Sequence, residues 1–351
     1  MAALPEAGGR AAEAAGLVEL AADDPALRDP AAFRGTVVAA GRPAVIRGLC
    51  ADLPATGAAR RSPRAALDYL LGFDVGRRPQ VFTAAPEIGG RYYYSDDLAG
   101  FNFTRSERSL AEAFALIERH IDDPAQPTSY IGSLVAPAYL PGFAEANTLP
   151  AVPAGTEPRL WIGNGSTAAC HYDAYENLAC VLAGERRFTL YPPDAIGDLY
   201  VGPIDRTMAG QPVSLAAAAA DPSAYPRFAA ARARAITVEL AAGDALFLPK
   251  LWWHEVAARA PFNLMLNYWW DATATGPDAP LLALLLAMIT IAERPEAERA
   301  AFRAFFDHYV FRPDGHPLAH LPEDRRGVLG DLSGAGYGQI RAMVLRALRG
   351  G

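Results

Sequence analysis

His171 and Asp173, two apart in the stretch "CHYDAYEN" (170–177), are the first residues in this 351-residue chain whose types and spacing suggest chemistry. In an extended backbone, positions i and i+2 point to the same side, so the imidazole and the carboxylate project together. A third group lies 81 residues beyond Asp173, in "GDALFLPKLWWHEV" (243–256). There Gly243-Asp244 reads as a turn, "ALFLP" as a strand stopped by Pro249, and "WWHEV" as the next strand, carrying His254. Antiparallel sheets bring such separated strands side by side, which would let two imidazoles and one carboxylate meet on one face of a metal ion and leave its other positions open.

Each part alone has a plainer reading. An H-x-D pair on a strand can be an ion pair, and a tryptophan-flanked histidine can be a core residue bonded to a backbone carbonyl. Taken together in a β-rich region, His171, Asp173 and His254 match the two-histidine, one-carboxylate face of mononuclear non-haem Fe(II) sites. His120, His308, His316 and His320 fall on expected helix or loop outside that region and read as structural or solvated.

The elements that must position these groups follow from pattern. "RPAVIRGL" (42–49) and "RPQVFTAA" (78–85) read as short strands. "SLAEAFALIERHI" (109–121) is an amphipathic helix with Leu110, Phe114, Ile117 and Ile121 on one face and Ser109 as N-cap. The Pro-rich stretch 124–158 is expected to be mostly loop, with one strand at "TSYIGSLV". From 159, "RLWIGN", "ENLACVLAG", "RRFTLYPP", "AITVEL", "DALFLP", "WWHEVAA" and "NLMLNYWW" follow at the intervals of a barrel or sandwich, interrupted by a long loop at 194–232. Residues 279–294, 295–311 and 337–349 read as helices with wide apolar faces. The Ala-rich residues 1–35 are expected to be helical or loosely attached. The chain is thus expected to be mainly β with flanking helices: an N-terminal mixed α/β region (1–125), a β core (126–275) and a C-terminal helical region (276–351).

Composition limits the function classes. A net charge of −7 disfavours nucleic acid as a partner. Three cysteines without a CxxC spacing argue against a disulfide scaffold or a zinc knuckle. The acidic N-terminus lacks the profile of a signal peptide, and the apolar run 279–292 is short for a membrane span, so a cytoplasmic protein is expected. Nearly all positive charge is arginine; Lys250 is the single lysine.

"WIGNGSTAACHYDAYENLACVLAGERRFTLYPPD", followed by "GDALFLPKLWWHEV" and "NLMLNYWW", resembles the cupin-like, JmjC-type 2-oxoglutarate oxygenases, and in particular their asparaginyl hydroxylase members. "RPAVIRGL" and "GRYYYSDDLAGFNF" extend the resemblance upstream, so that it covers most of residues 40–271. It implies a double-stranded β-helix (jelly-roll, cupin) core and an enzyme that uses Fe(II), 2-oxoglutarate and O2 to hydroxylate a C–H bond, releasing succinate and CO2. It makes His171, Asp173 and His254 the metal ligands.

The resemblance also implies a cosubstrate pocket. The family's cation for the far carboxylate of 2-oxoglutarate is usually lysine; here the matching residue is Arg186, whose planar fork suits a carboxylate. Arg187 is adjacent, and a one-residue register slip would exchange the two. Tyr130 matches a tyrosine that donates to the same carboxylate, or else is a core aromatic. Asn177 and Asn267 match two asparagines of the pocket. The hydroxyl residue that the family often carries three positions before the first histidine is replaced by Ala168, beside Thr167 and Ser166. Asp173, where halogenating relatives have a small residue, implies hydroxylation or oxidative demethylation. The substrate, a protein or a small molecule, is not legible, and the C-terminal helices allow a homodimer. The competing reading is a cupin-type metal-binding or scaffold protein without oxygenase activity. The loop "GRYYYSDDLAGFNF" (90–103) reads equally as a binding loop or as packed aromatic surface.

Overall fold

The computed structural model describes residues 17–350 apart from 96, 97, 99, 206, 208, 209, 220, 221, 274 and 275. It divides into two compact units, the first ending at Ala272 and the second beginning at Thr273.

The first unit is a double-stranded β-helix with helices packed outside it. In chain order its strands are β1 (Val18–Ala21), β2 (Ala44–Arg47), β3 (Gln80–Ala84), β4 (Arg91–Tyr92), β5 (Thr104–Glu107), β6 (Thr128–Val135) and β7 (Pro158–Gly163). They continue as β8 (Ser166–Tyr172), β9 (Glu176–Ala183), β10 (Glu185–Tyr191), β11 (Ile236–Ala241), β12 (Ala245–Leu248), β13 (Trp253–Ala258) and β14 (Asn263–Trp270). A large sheet runs β1-β2-β12-β9-β14-β7-β6-β3-β5, and a small sheet runs β11-β10-β13-β8-β4.

Strand composition follows from what each face meets. All of β9 is buried: Ala179 and Val181 face the space between the sheets, while Leu178, Cys180 and Leu182 face away. On β11 only Ile236, Val238 and Leu240 are buried, so the strand alternates apolar and polar. The outer face of the large sheet is covered by α1 (Pro54–Arg61), α2 (Pro63–Leu71) and α3 (Leu110–Asp122). Helix α3 starts where its sequence says it should. The Ser109 hydroxyl accepts from Glu112 N at 3.3 Å and the Glu112 carboxylate accepts from Ser109 N at 2.8 Å, a reciprocal capping pair. Leu110, Phe114 and Ile117 are buried against the sheet and Ile121 lies at the cluster's edge.

The expectation of helix or loose attachment over residues 1–35 is corrected at 18–21. These residues form β1, parallel to β2 with Val18 opposite Ala44. "VELA" alternates half-buried and exposed positions, the pattern of an edge strand, and the surrounding alanines mask it. Residues 1–16 of that stretch lie outside the described residues. The interruption at 194–232 holds short helical turns at Pro193–Gly197, Leu215–Ala218 and Phe228–Ala233.

The second unit contains α4 (Pro280–Ile291), α5 (Glu296–Phe306), which continues into a wider turn at Asp307–Phe311, and α6 (Ala335–Arg349). No residue of α4 is buried, and Ile289 is 83% exposed. Among the described residues no helix is long and apolar enough to cross a membrane.

Candidate metal centre and its cavity

Strand pairing brings the three candidate ligands together. His254 on β13 lies directly opposite His171 on β8, and the register shifts between His254 and Val256 because β8 carries one extra residue there. That bulge lets both Ala168 and His171 face the interior although they are three apart, and it turns Cys170 outward. Asp173 follows in the turn into β9. One ligating atom from each of His171, Asp173 and His254 lies within 4.8 Å of the others. His254 Nε2 is 3.6 Å from Asp173 Oδ2, and the two imidazole centroids are 4.4 Å apart.

The surroundings prepare these groups for a cation. His171 Nδ1 sits 2.7 Å from the carbonyl of Ala169, and His254 Nδ1 sits 3.0 Å from that of Trp252. A carbonyl only accepts, so each Nδ1 carries the proton and each Nε2 keeps its lone pair for a metal. Burial, and then the neighbouring His171, push the pKa of His254 down to about 4, so it is neutral at ordinary pH. Asn177 Nδ2 donates to Asp173 Oδ2 at 3.0 Å, and Asn267 Nδ2 donates to Asn177 Oδ1 at 2.6 Å. The two asparagines expected in the pocket therefore form an amide chain that holds the carboxylate. A nitrogen–nitrogen–oxygen set on one face, with both tautomers fixed, fits Fe(II).

Beside His171 lies a cavity of about 150 Å³. Arg186 lines it and is buried, with no carboxylate within ion-pair distance among the described residues and with its Nε unpartnered. Burial pulls its pKa down to about 10, partly offset by Tyr130. Arg187 points the other way, toward solvent, and pairs with Glu239 at 2.5 Å, the residue opposite it on β11. The two arginines are thus divided by strand alternation. Tyr130 lines the same cavity, stacked on Trp161 at 6.0 Å. Burial raises its phenol well above the ordinary value. Ala168 faces the cavity with Ser166 and Thr167 beside it, so the nearby hydroxyls are available although the expected position lacks one.

The loop 90–103 packs as an aromatic surface and also contributes to the wall of the cavity. Tyr94 stacks on Phe101 and Phe101 on Phe103, while Tyr92 and Phe103 also wall the cavity. Its Asp96 and Asp97 lie outside the described residues. Gln211 and Val213, from the interruption, complete another side.

Pattern reading missed Arg159 and Trp161 as site neighbours. Arg159, Trp161 and Trp269 share the interior side: Trp161 meets Trp269 edge-on at 6.0 Å, and the Arg159 guanidinium lies over Trp269 at 5.2 Å. Arg159 also donates to Ser133 at 2.8 Å. Alternation along "RLWIGN" put Arg159 and Trp161 on one face, and that was the available signal. Trp253 and Trp270 face outward into other clusters, as adjacent residues on a strand must.

Comparison with known proteins agrees with this geometry. The model of the family described as "Cupin-like domain" matches residues 30–276. HSPB1-associated protein 1 of Bos taurus is 29% identical over 181 residues, 44% of this chain and 37% of that protein. Lysine-specific demethylase JMJ31 of Arabidopsis thaliana is 30% identical over 133 residues, 38% of this chain and 23% of that protein. Bifunctional peptidase and (3S)-lysyl hydroxylase JMJD7 of Homo sapiens is 31% identical over 131 residues, 32% of this chain and 40% of that protein. The matched stretch thus spans less than half the length of each relative. The family match over most of the β-helix, together with these JmjC relatives, places the chain in the cupin-like family of JmjC type.

Proposed function

We propose that this chain is an Fe(II)- and 2-oxoglutarate-dependent oxygenase that hydroxylates a C–H bond of a protein or small-molecule substrate, releasing succinate and CO2. The observation that carries this reading is Arg186. A guanidinium buried without a carboxylate is costly, and its place in a cavity that also contains His171 makes sense if a ligand carboxylate completes it. The cavity's volume suits a small dicarboxylate rather than a large substrate.

In this reading His171, Asp173 and His254 hold the metal from one side. Bound Fe(II) with 2-oxoglutarate and O2 would supply the oxidising chemistry. Arg186 takes the far carboxylate in a two-bond fork, and the Tyr130 hydroxyl donates to it. Asn177, steadied by Asn267, keeps Asp173 Oδ2 oriented. The aromatic wall of Tyr92, Phe103, Tyr130 and Trp161 excludes water from the cavity. An aspartate at 173 fills the third protein position, which favours hydroxyl over halide transfer. Two of the relatives are named a demethylase and a lysyl hydroxylase, which supports an oxygenase and leaves this chain's own substrate to experiment. HSPB1-associated protein 1 is named for a protein partner, in keeping with a protein substrate. Three buried cysteines, none in a disulfide, are in keeping with the reducing cytoplasm. The exposed apolar residues of the second unit, Leu285, Met288, Ile289 and Phe305 among them, fit a homodimer contact.

The test is an anaerobic titration of Fe(II)-loaded protein with 2-oxoglutarate, following the weak visible metal-to-ligand charge-transfer band. The band is expected with wild type, is abolished in His171→Ala, and is weakened in Arg186→Met. Bound iron that gives no band in wild type would reject the oxygenase and favour a cupin-type binding protein.

A further inference from the structure

A second and larger space lies at the end of the β-helix that carries Asp173. It is an open groove of about 830 Å³, against about 150 Å³ for the cavity beside His171. Its walls include Tyr175, from the turn that carries Asp173, and Trp269 and Trp270 from the end of β14. We infer that this groove binds a peptide segment bearing one acidic side chain, and that Arg159 is the residue that selects it.

The register places Arg159 beside the metal centre. On β7 it lies directly opposite Asn267 of β14, and Asn267 is the outer member of the amide chain that leads through Asn177 to Asp173. Arg159 lines the groove, lies over the face of Trp269 at 5.2 Å, and is held by the Ser133 hydroxyl at 2.8 Å. Ser133 is itself a lining residue of the small cavity and takes a left-handed backbone (φ +58°) beside an irregularity in β6. A non-glycine residue in that region is strained, and the strain is spent where Arg159 is fixed. Arg159 therefore stands in the wall between the two spaces, oriented by two contacts. It has no carboxylate within ion-pair distance among the described residues.

Two further polar groups at this wall lack partners among the described residues. Trp269 Nε1 is a buried donor without an acceptor, and Asn267 Oδ1 is a buried acceptor without a donor. A carboxylate at Arg159 together with a peptide N–H would supply both kinds of partner. The rest of the groove limits how much negative charge it can take. Arg34 adds a second cation, Asp271 is paired with Lys250 at 2.8 Å, and Glu157 is a carboxylate with no ion pair among the described residues. One acidic side chain at Arg159 is accommodated. A polyanion such as RNA would meet Glu157 and find too few cations. The exposed ring of Tyr175 (49%) and the indole of Trp269 offer flat apolar contact for neighbouring residues of an extended segment.

This inference rests on the oxygenase reading only in making the bound peptide a substrate, and the experiment separates the two. Fluorescein-labelled nonapeptide pools are prepared with random neutral residues around a fixed central Glu, Gln or Lys. Their binding to full-length protein loaded with Mn(II) and 2-oxoglutarate is measured by fluorescence polarisation. Wild type is expected to prefer the Glu pool by roughly tenfold, the worth of a charge-assisted pair. Arg159→Gln is expected to erase the preference, Arg159→Lys to keep its direction, and the outward Arg187→Gln to leave it unchanged. The Fe(II)–2-oxoglutarate band, measured on the same proteins, is expected to persist in all three. Equal binding of the pools, no binding of any pool, or a Glu preference that survives Arg159→Gln would overturn the inference. So would loss of the band in Arg159→Gln, which would assign this arginine to the cosubstrate. A Glu preference in wild type that lacks the band would support the groove while removing the oxygenase.

Discussion

Replacing Arg186 with methionine is expected to make the ligand-free protein more stable while weakening its response to 2-oxoglutarate. The guanidinium is buried, and burial draws its pKa from 12.5 to about 10. Its folded pKa is lower than its unfolded one, so folding is penalised wherever both states are charged, which is all pH below about 10. At about 1.4 kcal/mol for each factor of ten in the proton equilibrium, the penalty is roughly 3 kcal/mol. Methionine keeps much of the volume and carries no charge, and neutral replacement of buried charges is often stabilising by about 1–4 kcal/mol. At ~2 °C per kcal/mol for a domain of this size, Tm without ligand should rise by up to roughly 6 °C. Saturating 2-oxoglutarate with Mn(II) under nitrogen should raise the Tm of wild type, by about 2.7 kcal/mol of stabilisation at a hundred times Kd. Relative to Mn(II) alone, 2-oxoglutarate should raise the variant's Tm markedly less than that of wild type. Scanning calorimetry with and without ligand reads both effects. A variant that is less stable than wild type without ligand, and that gains as much from 2-oxoglutarate, would refute the reasoning: Arg186 would then be a structural cation rather than half of a ligand pair.

Four other outcomes are expected. His254 has a folded pKa below its unfolded value, so its contribution is complete above about pH 6.5 and is lost as pH falls toward 4; in denaturant melts of metal-free protein the midpoint should fall across that window in wild type and fall less in His254→Ala. Asn177→Ala removes the 3.0 Å donor to Asp173 and should weaken metal binding by about 10–100-fold in a chelator competition, with little change in fold by circular dichroism. Gly184 has φ +76° in the turn before Arg186, and an added Cβ would stand 2.4 Å from Asn263 Oδ1 and 2.6 Å from the Phe262 carbonyl. Gly184→Ala should therefore cost at least ~2 kcal/mol in urea titration. Ile289→Glu in the second unit should lower apparent mass in light scattering if α4 carries the homodimer contact, and an unchanged mass would remove α4 from it.

What could be read from the sequence was what local pattern encodes. The i,i+2 spacing of His171 and Asp173 fixed their common direction, and the turn, strand and proline before His254 located its strand. The position of β8 opposite β13 was open, because pairing between distant strands is a property of the whole sheet. The bulge that brings Ala168 and His171 to one face leaves no mark in residue types. Arg186 and Arg187 look alike as letters and differ by one step of alternation, which only the register with Leu240 and Glu239 on β11 decides. Asn177 and Asn267 were expected beside the cosubstrate, yet neither lines the cavity beside His171, and their bond to each other joins positions 90 residues apart. Arg159 and Ser133 escaped notice because each is ordinary alone; their meaning comes from adjacency across β6 and β7. β1 was hidden by composition, its short alternation submerged in alanine.

The way the three candidate ligands are distributed along the chain also bears on how a metal would be chosen during synthesis. His171 and Asp173 emerge from the ribosome well before His254, which follows 81 residues after Asp173. A nascent segment with one imidazole and one carboxylate has no reason to prefer iron and would favour tighter-binding copper or zinc if either were free. The third ligand arrives only when β13 pairs with β8 and closes that long loop, a slow non-local step. If the three groups hold a metal, high-affinity capture would therefore wait until the sheet is finished, and a folded pocket sampling the ions around it, rather than the growing chain, would settle the identity of the metal.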